Sequence, residues 1–203
     1  MPPVVQMDNA VDAVRRLAPP GERTIVGITG PVGAGKSTLA ARLSRCVIST
    51  DHYLPDYDRT PEPERDLPER SDLARLLADL HSLRAGRPTR IPQWSFHTHS
   101  RVGELEVAPH DLIVVEGLHA LHETHASGLD IRVFVDAPPS IRWARWENLA
   151  LTGQRGWGVE ETRTFFHTVA EPTFHARANI YRAGAHLIVS NDAGVALPPD
   201  VQP

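Results

Sequence analysis

Short apolar runs alternate along this chain with stretches whose apolar residues recur every three or four positions. Thr24-Ile25-Val26-Gly27-Ile28-Thr29 reads as a buried strand, and so do Val47-Ile48-Ser49-Thr50-Asp51 and Asp111-Leu112-Ile113-Val114-Val115-Glu116-Gly117. Ile131-Arg132-Val133-Phe134-Val135-Asp136 and His186-Leu187-Ile188-Val189-Ser190 complete the set. Helical spacing appears over residues 37–43, 69–85, 139–151, 159–171 and 172–183; in the second of these Leu73, Leu76, Leu77, Leu80 and Leu83 form the stripe and Gly86 ends it. Residues 1–20 read as a weakly amphipathic helix (Val11, Val14, Leu17) closed by Pro19-Pro20-Gly21. Residues 52–68 are dense in Pro, Asp, Glu and Arg and read as a long loop, a kind of segment that tends to carry function. Residues 193–203 read as a loose tail. Strands alternating with helices predict an α/β domain of three layers, with a mostly parallel sheet between helices. In such sheets ligands collect at the C-terminal ends of the strands.

Composition narrows the class. The 203 residues are 41% hydrophobic, which suits one domain with at most a small appendage. A net charge of −4 without a basic stripe argues against a nucleic-acid partner. No apolar stretch approaches membrane-spanning length, and the N-terminus, with Asp8 and Asp12, lacks the apolar core of a signal peptide. One cysteine, Cys46, permits no intrachain disulfide, so the expected compartment is the cytoplasm, and its apolar surroundings read as core.

Charge chemistry then points to one place. The chain has a single lysine, Lys36, against 20 arginines. It lies in Gly30-Pro31-Val32-Gly33-Ala34-Gly35-Lys36-Ser37, the Gly-x-x-x-x-Gly-Lys-Ser spacing that cradles phosphates. An ammonium fits between phosphate groups as a compact point charge, whereas a guanidinium wants a fork-shaped partner. Glycines free backbone N–H groups to converge on one anion, and the following helix adds its own N–H groups and dipole. Gly30, Gly33, Ala34, Gly35, Lys36, Ser37 and Thr38 are thus the expected nucleotide-binding residues, and the fold class becomes a P-loop NTPase. Ser37 offers a hydroxyl to Mg²⁺. Glu116 ends an apolar strand, where a carboxylate is costly unless paired or metal-bound, and is assigned to the magnesium shell. Asp51 is the expected general base for an acceptor hydroxyl; a magnesium role and a helix N-cap are its alternatives. Six of the eleven histidines lie between residues 97 and 125, but their spacing does not converge on a transition metal.

Pro92-Gln93-Trp94-Ser95-Phe96-His97-Thr98-His99-Ser100-Arg101 is similar to the Pro-x-Tyr-Asp-Phe-x-Thr-His-Ser-Arg stretch of uridine kinases. Thr50-Asp51-His52-Tyr53, Arg65-Asp66-Leu67-Pro68 and the strand ending Glu116-Gly117 also resemble that family. Over residues 24–191 the chain resembles the uridine kinase and phosphoribulokinase family of P-loop kinases. The resemblance implies transfer of the γ-phosphate of ATP, with Mg²⁺, to the 5′-hydroxyl of uridine or cytidine. It implies that Asp51 faces that hydroxyl, that Asp66 binds ribose hydroxyls, and that Tyr53, Trp94, His99 and Arg101 contribute to the acceptor site. It also implies a single kinase domain with a substrate-binding insertion over 52–105, a lid over 142–165, and the oligomeric assembly common among relatives. The lid keeps Arg142, Arg145, Arg155 and Arg163 to neutralise the transferring group, fewer arginines than uridine kinases carry. Val135-Asp136-Ala137-Pro138 followed by Trp143 resembles pantothenate kinases, so pantothenate or a sugar is the alternative acceptor. An ATP-binding regulatory switch is the competing class. A guanine-reading Asn-Lys-x-Asp element cannot occur in a chain with no second lysine.

Overall fold

The computed structural model describes residues 1–192; the expected tail at 193–203 lies outside the described residues. Eight strands are present among them: β1 (Val4–Gln6), β2 (Thr24–Thr29), β3 (Cys46–Ser49), β4 (Thr89–Ser95), β5 (Ser100–Val107), β6 (Leu112–Glu116), β7 (Ile131–Asp136) and β8 (Leu187–Ser190). The helices are α1 (Met7–Leu17), α2 (Lys36–Leu43), α3 (Leu73–Arg84), α4 (Glu123–Ala126), α5 (Pro139–Leu151), α6 (Val159–Phe165) and α7 (Glu171–Gly184). Six strands form one sheet in the order β1-β8-β7-β2-β6-β3, and every pairing in it is parallel. This is the three-layer α/β architecture expected of the sequence.

Both faces are apolar because successive side chains point to opposite sides of a strand. Ile25, Ile48, Ile113, Val115 and Phe134 pack against α3 and α7. Val26, Ile28, Val114, Val133 and Val189 pack against α1 and α2. A third cluster lies off the sheet, where Tyr57, Trp94, Trp146, Phe165 and Phe166 gather between α5, α6 and the β4–β5 hairpin.

Several expectations are corrected. The N-terminal helix begins at Met7, because Val4–Gln6 pairs with β8 as an edge strand. Its buried face is Met7, Ala10, Ala13 and Val14, while Leu17 is exposed. The loop after β3 is a string of 3₁₀ turns at Thr50–Tyr53, Tyr57–Arg59, Glu62–Glu64 and Pro68–Arg70. Residues 89–107, for which no strand was expected, form an antiparallel hairpin with a register shift between Gln93 and Trp94. The two expected helices at 159–183 are joined through a π turn at Phe166–Ala170 rather than broken at residue 172.

One buried ion pair fixes α5 to α7 and to the phosphate loop. The Arg142 guanidinium donates to both Glu171 carboxylate oxygens, at 2.6 and 2.8 Å, and to the carbonyls of Ala137 and Val32. Arg142 is buried and Glu171 nearly so. Glu171→Ala leaves that guanidinium without its counter-charge. The expected cost is about 3–5 kcal/mol of unfolding free energy, read from urea denaturation.

Candidate active site

The strands of the sheet end together at one edge, and three of those ends bring charged side chains to one cleft. β2 runs into the phosphate loop and α2. β3 runs into the turn bearing Asp51. β6 ends on Glu116. Between them lies a cleft of about 370 Å³ lined by Gly33, Lys36, Ser37, Asp51, Glu116 and, further along, Tyr57, Asp66, Trp94, Phe96, Trp146 and Arg155.

The loop has the backbone that converging N–H groups require. Gly33 and Gly35 take φ of +73° and +99°, torsions that L side chains seldom adopt. The loop is also braced from behind. Arg145 donates to the Gly33 carbonyl at 3.0 Å, and the Asn191 amide donates to the Ala34 carbonyl at 2.7 Å. On the far side of Gly35 is a second cavity, about 310 Å³, walled by Met7, Thr38, Arg145 and Asn191. The loop therefore separates two cavities.

Electrostatics within the cleft is mutual. The Lys36 ammonium donates to the Pro31 carbonyl at 3.0 Å. Burial lowers its pKa, and the negative charges of Glu116 and Asp51 oppose that shift. Burial raises the Glu116 pKa, with Asp51 adding to the rise; Lys36 and the hydroxyls of Ser49 and Ser37 work the other way. Ser37 and Glu116, with Asp51 across from them, form a hard-oxygen donor set of the kind magnesium takes beside phosphates. The N-cap alternative for Asp51 is corrected: Ser49 caps the turn, its hydroxyl accepting from the Asp51 N–H.

Asp66 reaches the cleft from the 3₁₀ string. It is buried, and burial raises its pKa to about 6 even though the Tyr57 hydroxyl, donating at 2.7 Å, favours the ionised form. Its main-chain oxygen lies 3.0 Å from Nε2 of His119, whose Nδ1 lies 2.9 Å from the Tyr181 hydroxyl. Burial depresses His119 to about 3, so it stays neutral. His119 and the other cleft residues His52, Ser71 and Trp146 were missed by the sequence reading. The available signal for His119 was its place two residues past Gly117, on the same strand exit as Glu116.

Other expected site residues lie elsewhere. Tyr53 is fully buried against the sheet, and its hydroxyl donates to Asp79 at 2.9 Å, so it does not face the cleft. Arg101 is exposed on β5, 3.6 Å from Asp72. Arg142 is committed to Glu171, Arg145 braces the loop, and Arg163 pairs with Glu147 on the surface. Of the four arginines expected in a lid, only Arg155 lines the cleft. Trp94 lines the cleft, held by its indole N–H to the Pro55 carbonyl at 3.2 Å. His99 does not line it: its ring stacks on Trp157 with centroids 4.0 Å apart.

A parallel sheet with a Gly-Lys-Ser loop and facing carboxylates at its strand ends defines a P-loop kinase-like protein. A family model described as "Phosphoribulokinase / Uridine kinase family" matches residues 56–189, and the chain belongs to that family. Uridine kinase of Brevibacillus brevis is 31% identical over 166 residues, covering 75% of this chain and 77% of that protein. Inorganic pyrophosphatase TTM1 of Arabidopsis thaliana is 36% identical over 118 residues; the match covers 55% of this chain but spans only 18% of the plant protein's length. Among solved structures, a Silicibacter sp. TM1040 protein whose description proposes a fructose transport system kinase superposes with a TM-score of 0.70 at 20% identity. That superposition covers 91% of this chain and 98% of the other.

The Tyr57–Asp66 bond yields a measurable outcome. Tyr57→Phe removes a donor that favours the carboxylate, so the Asp66 pKa rises above about 6. Carboxyl-carbon NMR titration of the two proteins checks the direction, and an unchanged or lower value contradicts it.

Proposed function

We propose that the chain is an ATP-dependent phosphotransferase acting on an alcohol group of a small molecule. The observation that carries this is the convergence of Lys36, Asp51 and Glu116 on one cleft from three separate strand ends. The uridine kinase relatives support the reaction class.

In this reading the triphosphate lies along the loop, with its terminal phosphate at Lys36 and its nucleoside half toward the cavity beyond Gly35. Lys36 and the loop amides neutralise charge on the β- and γ-phosphates. Magnesium held at Ser37 and Glu116 would supply further charge neutralisation. Asp51 takes the proton from the acceptor hydroxyl as that oxygen forms its bond to the γ-phosphorus. The bond from the γ-phosphorus to the bridging oxygen breaks, and ADP leaves. Arg155, the lid arginine on the cleft wall, balances charge on the transferring group. Asp66 accepts hydrogen bonds from other acceptor hydroxyls. Because that role needs the ionised carboxylate, acceptor binding weakens as pH falls through about 6.

The acceptor read from the sequence is a pyrimidine nucleoside, which the uridine kinase relatives favour. The stacking of His99 on Trp157, which keeps both rings out of the cleft, favours a more compact alcohol.

Two variants test the reaction. Lys36→Ala is expected to lower kcat about 100- to 1,000-fold, the scale of losing one preorganised charge donor. Asp51→Asn is expected to lower it on the order of 100- to 10,000-fold while Mg-ATP affinity is kept. Acceptor-dependent ADP release measures both, with calorimetry for nucleotide binding. Near-normal turnover in folded Asp51→Asn rules out the base assignment.

A further inference from the structure

Three consecutive lid residues dock onto the turn of the β4–β5 hairpin. The Arg155 guanidinium lies over the Phe96 ring at 4.4 Å and over Trp146 at 4.8 Å. Gly156 takes φ of +70°, and a Cβ there would come within 2.5 Å of the Phe96 carbonyl and 2.8 Å of the His97 Cα. That position therefore requires glycine, because two backbones touch. This approach sets Trp157 on His99, with planes 15° apart. Tyr57 stacks against both rings, at 5.5 Å from His99 and 6.2 Å from Trp157.

The consequence is a shut wall. Neither His99 nor Trp157 opens onto the cleft, because each covers the other's face. Part of the 370 Å³ must hold the donor's terminal phosphate, and pockets for small molecules generally begin near that size. The remaining space offers the carboxylates of Asp51 and Asp66, the His52 imidazole, and Arg155, whose buried Nε has no hydrogen-bond partner among the described residues. These hydroxyl-binding groups stand beside the rings of Tyr57, Trp94, Phe96 and Trp146, while the His99 imidazole, stacked on Trp157, is kept out of the cleft.

Resting on the kinase reading above, we propose that Trp157 is a specificity-determining residue that closes the acceptor end of the cleft to planar nucleobases. The acceptor is a compact, non-aromatic polyhydroxy compound. The Gly156 contact holds the tryptophan in place, and Arg155 presents its unpartnered Nε–H to the acceptor or to the group in transit.

The test compares kcat/KM for uridine and cytidine with those for four-carbon polyols, pentoses, hexoses and pantothenate. Wild type, Trp157→Phe and Trp157→Ala are assayed by acceptor-dependent ADP release, with Mg-ATP affinity as the folding control. Wild type is expected to prefer a non-aromatic acceptor. Trp157→Ala is expected to raise the nucleoside-to-polyol ratio by about tenfold or more, the scale on which filling or emptying an apolar pocket discriminates substrates. Trp157→Phe, which keeps a ring over His99, is expected to retain the wild-type ratio. Wild-type preference for uridine, or a ratio unmoved in Trp157→Ala, overturns the specificity role and leaves the kinase reading standing. No acceptor-dependent ADP release from any of the three proteins overturns the kinase reading and the specificity role with it.

Discussion

Everything at the working edge of this sheet depends on charges that none of its residues could hold alone. Glu116 is buried at the end of an apolar strand, where an isolated carboxylate is costly. Lys36 is drawn into the same space, and desolvation works against its charge as well. Each is tolerated because the other is there, and Asp51 tilts the balance toward excess negative charge. At the strand ends two carboxylates face one ammonium, an excess of negative charge that a divalent cation beside a polyphosphate would offset. The parallel sheet creates this situation by delivering three strand ends to one edge, so that fold and chemistry are one constraint.

The loop that presents Lys36 is held from outside. Arg145 and Asn191 bind its carbonyls, and Arg142 reaches from α5 to the Val32 carbonyl while paired with Glu171 on α7. Three of the positions expected to act on phosphate thus divide into different tasks. Two hold the loop's shape, and one, Arg155, faces the cleft. A loop whose N–H groups must all aim at one anion gains from a rigid surround, because any slack would be removed at the moment of binding at an entropic cost.

Much of this was legible from local chemistry. The phosphate loop is eight contiguous residues whose function needs no distant partner, and the core strands announce themselves as apolar runs. The hairpin at 89–107 did not, because β5 is largely exposed and carries Glu104 and Glu106; its pairing, not its burial, makes it a strand. β1 is only three residues long and exists because β8 offers an edge. Tyr53 was misassigned by its nearness to Asp51. In a turn of about three residues, positions two apart point roughly 240° from one another, so Asp51 faces the cleft while Tyr53 enters the core. Asp66 binding to His119 and His99 stacking on Trp157 join residues more than fifty positions apart, and no window of sequence contains both partners.

Those long-range contacts also separate the acceptor question from the reaction question. The proposed phosphoryl transfer rests on the loop and strand ends, which are short in sequence. Acceptor choice, in the proposed reading, is set where two turns meet, one at Arg155-Gly156-Trp157 and the hairpin turn at Phe96-His97-Thr98-His99. Motif residues on one of these turns say little while the other is unread. His99 sits within a recognisable stretch, yet what it can touch is decided by a tryptophan 58 residues later. On the proposed role of Trp157, a change of acceptor would start at this turn, with Asp51, Glu116 and Lys36 left where the sheet holds them.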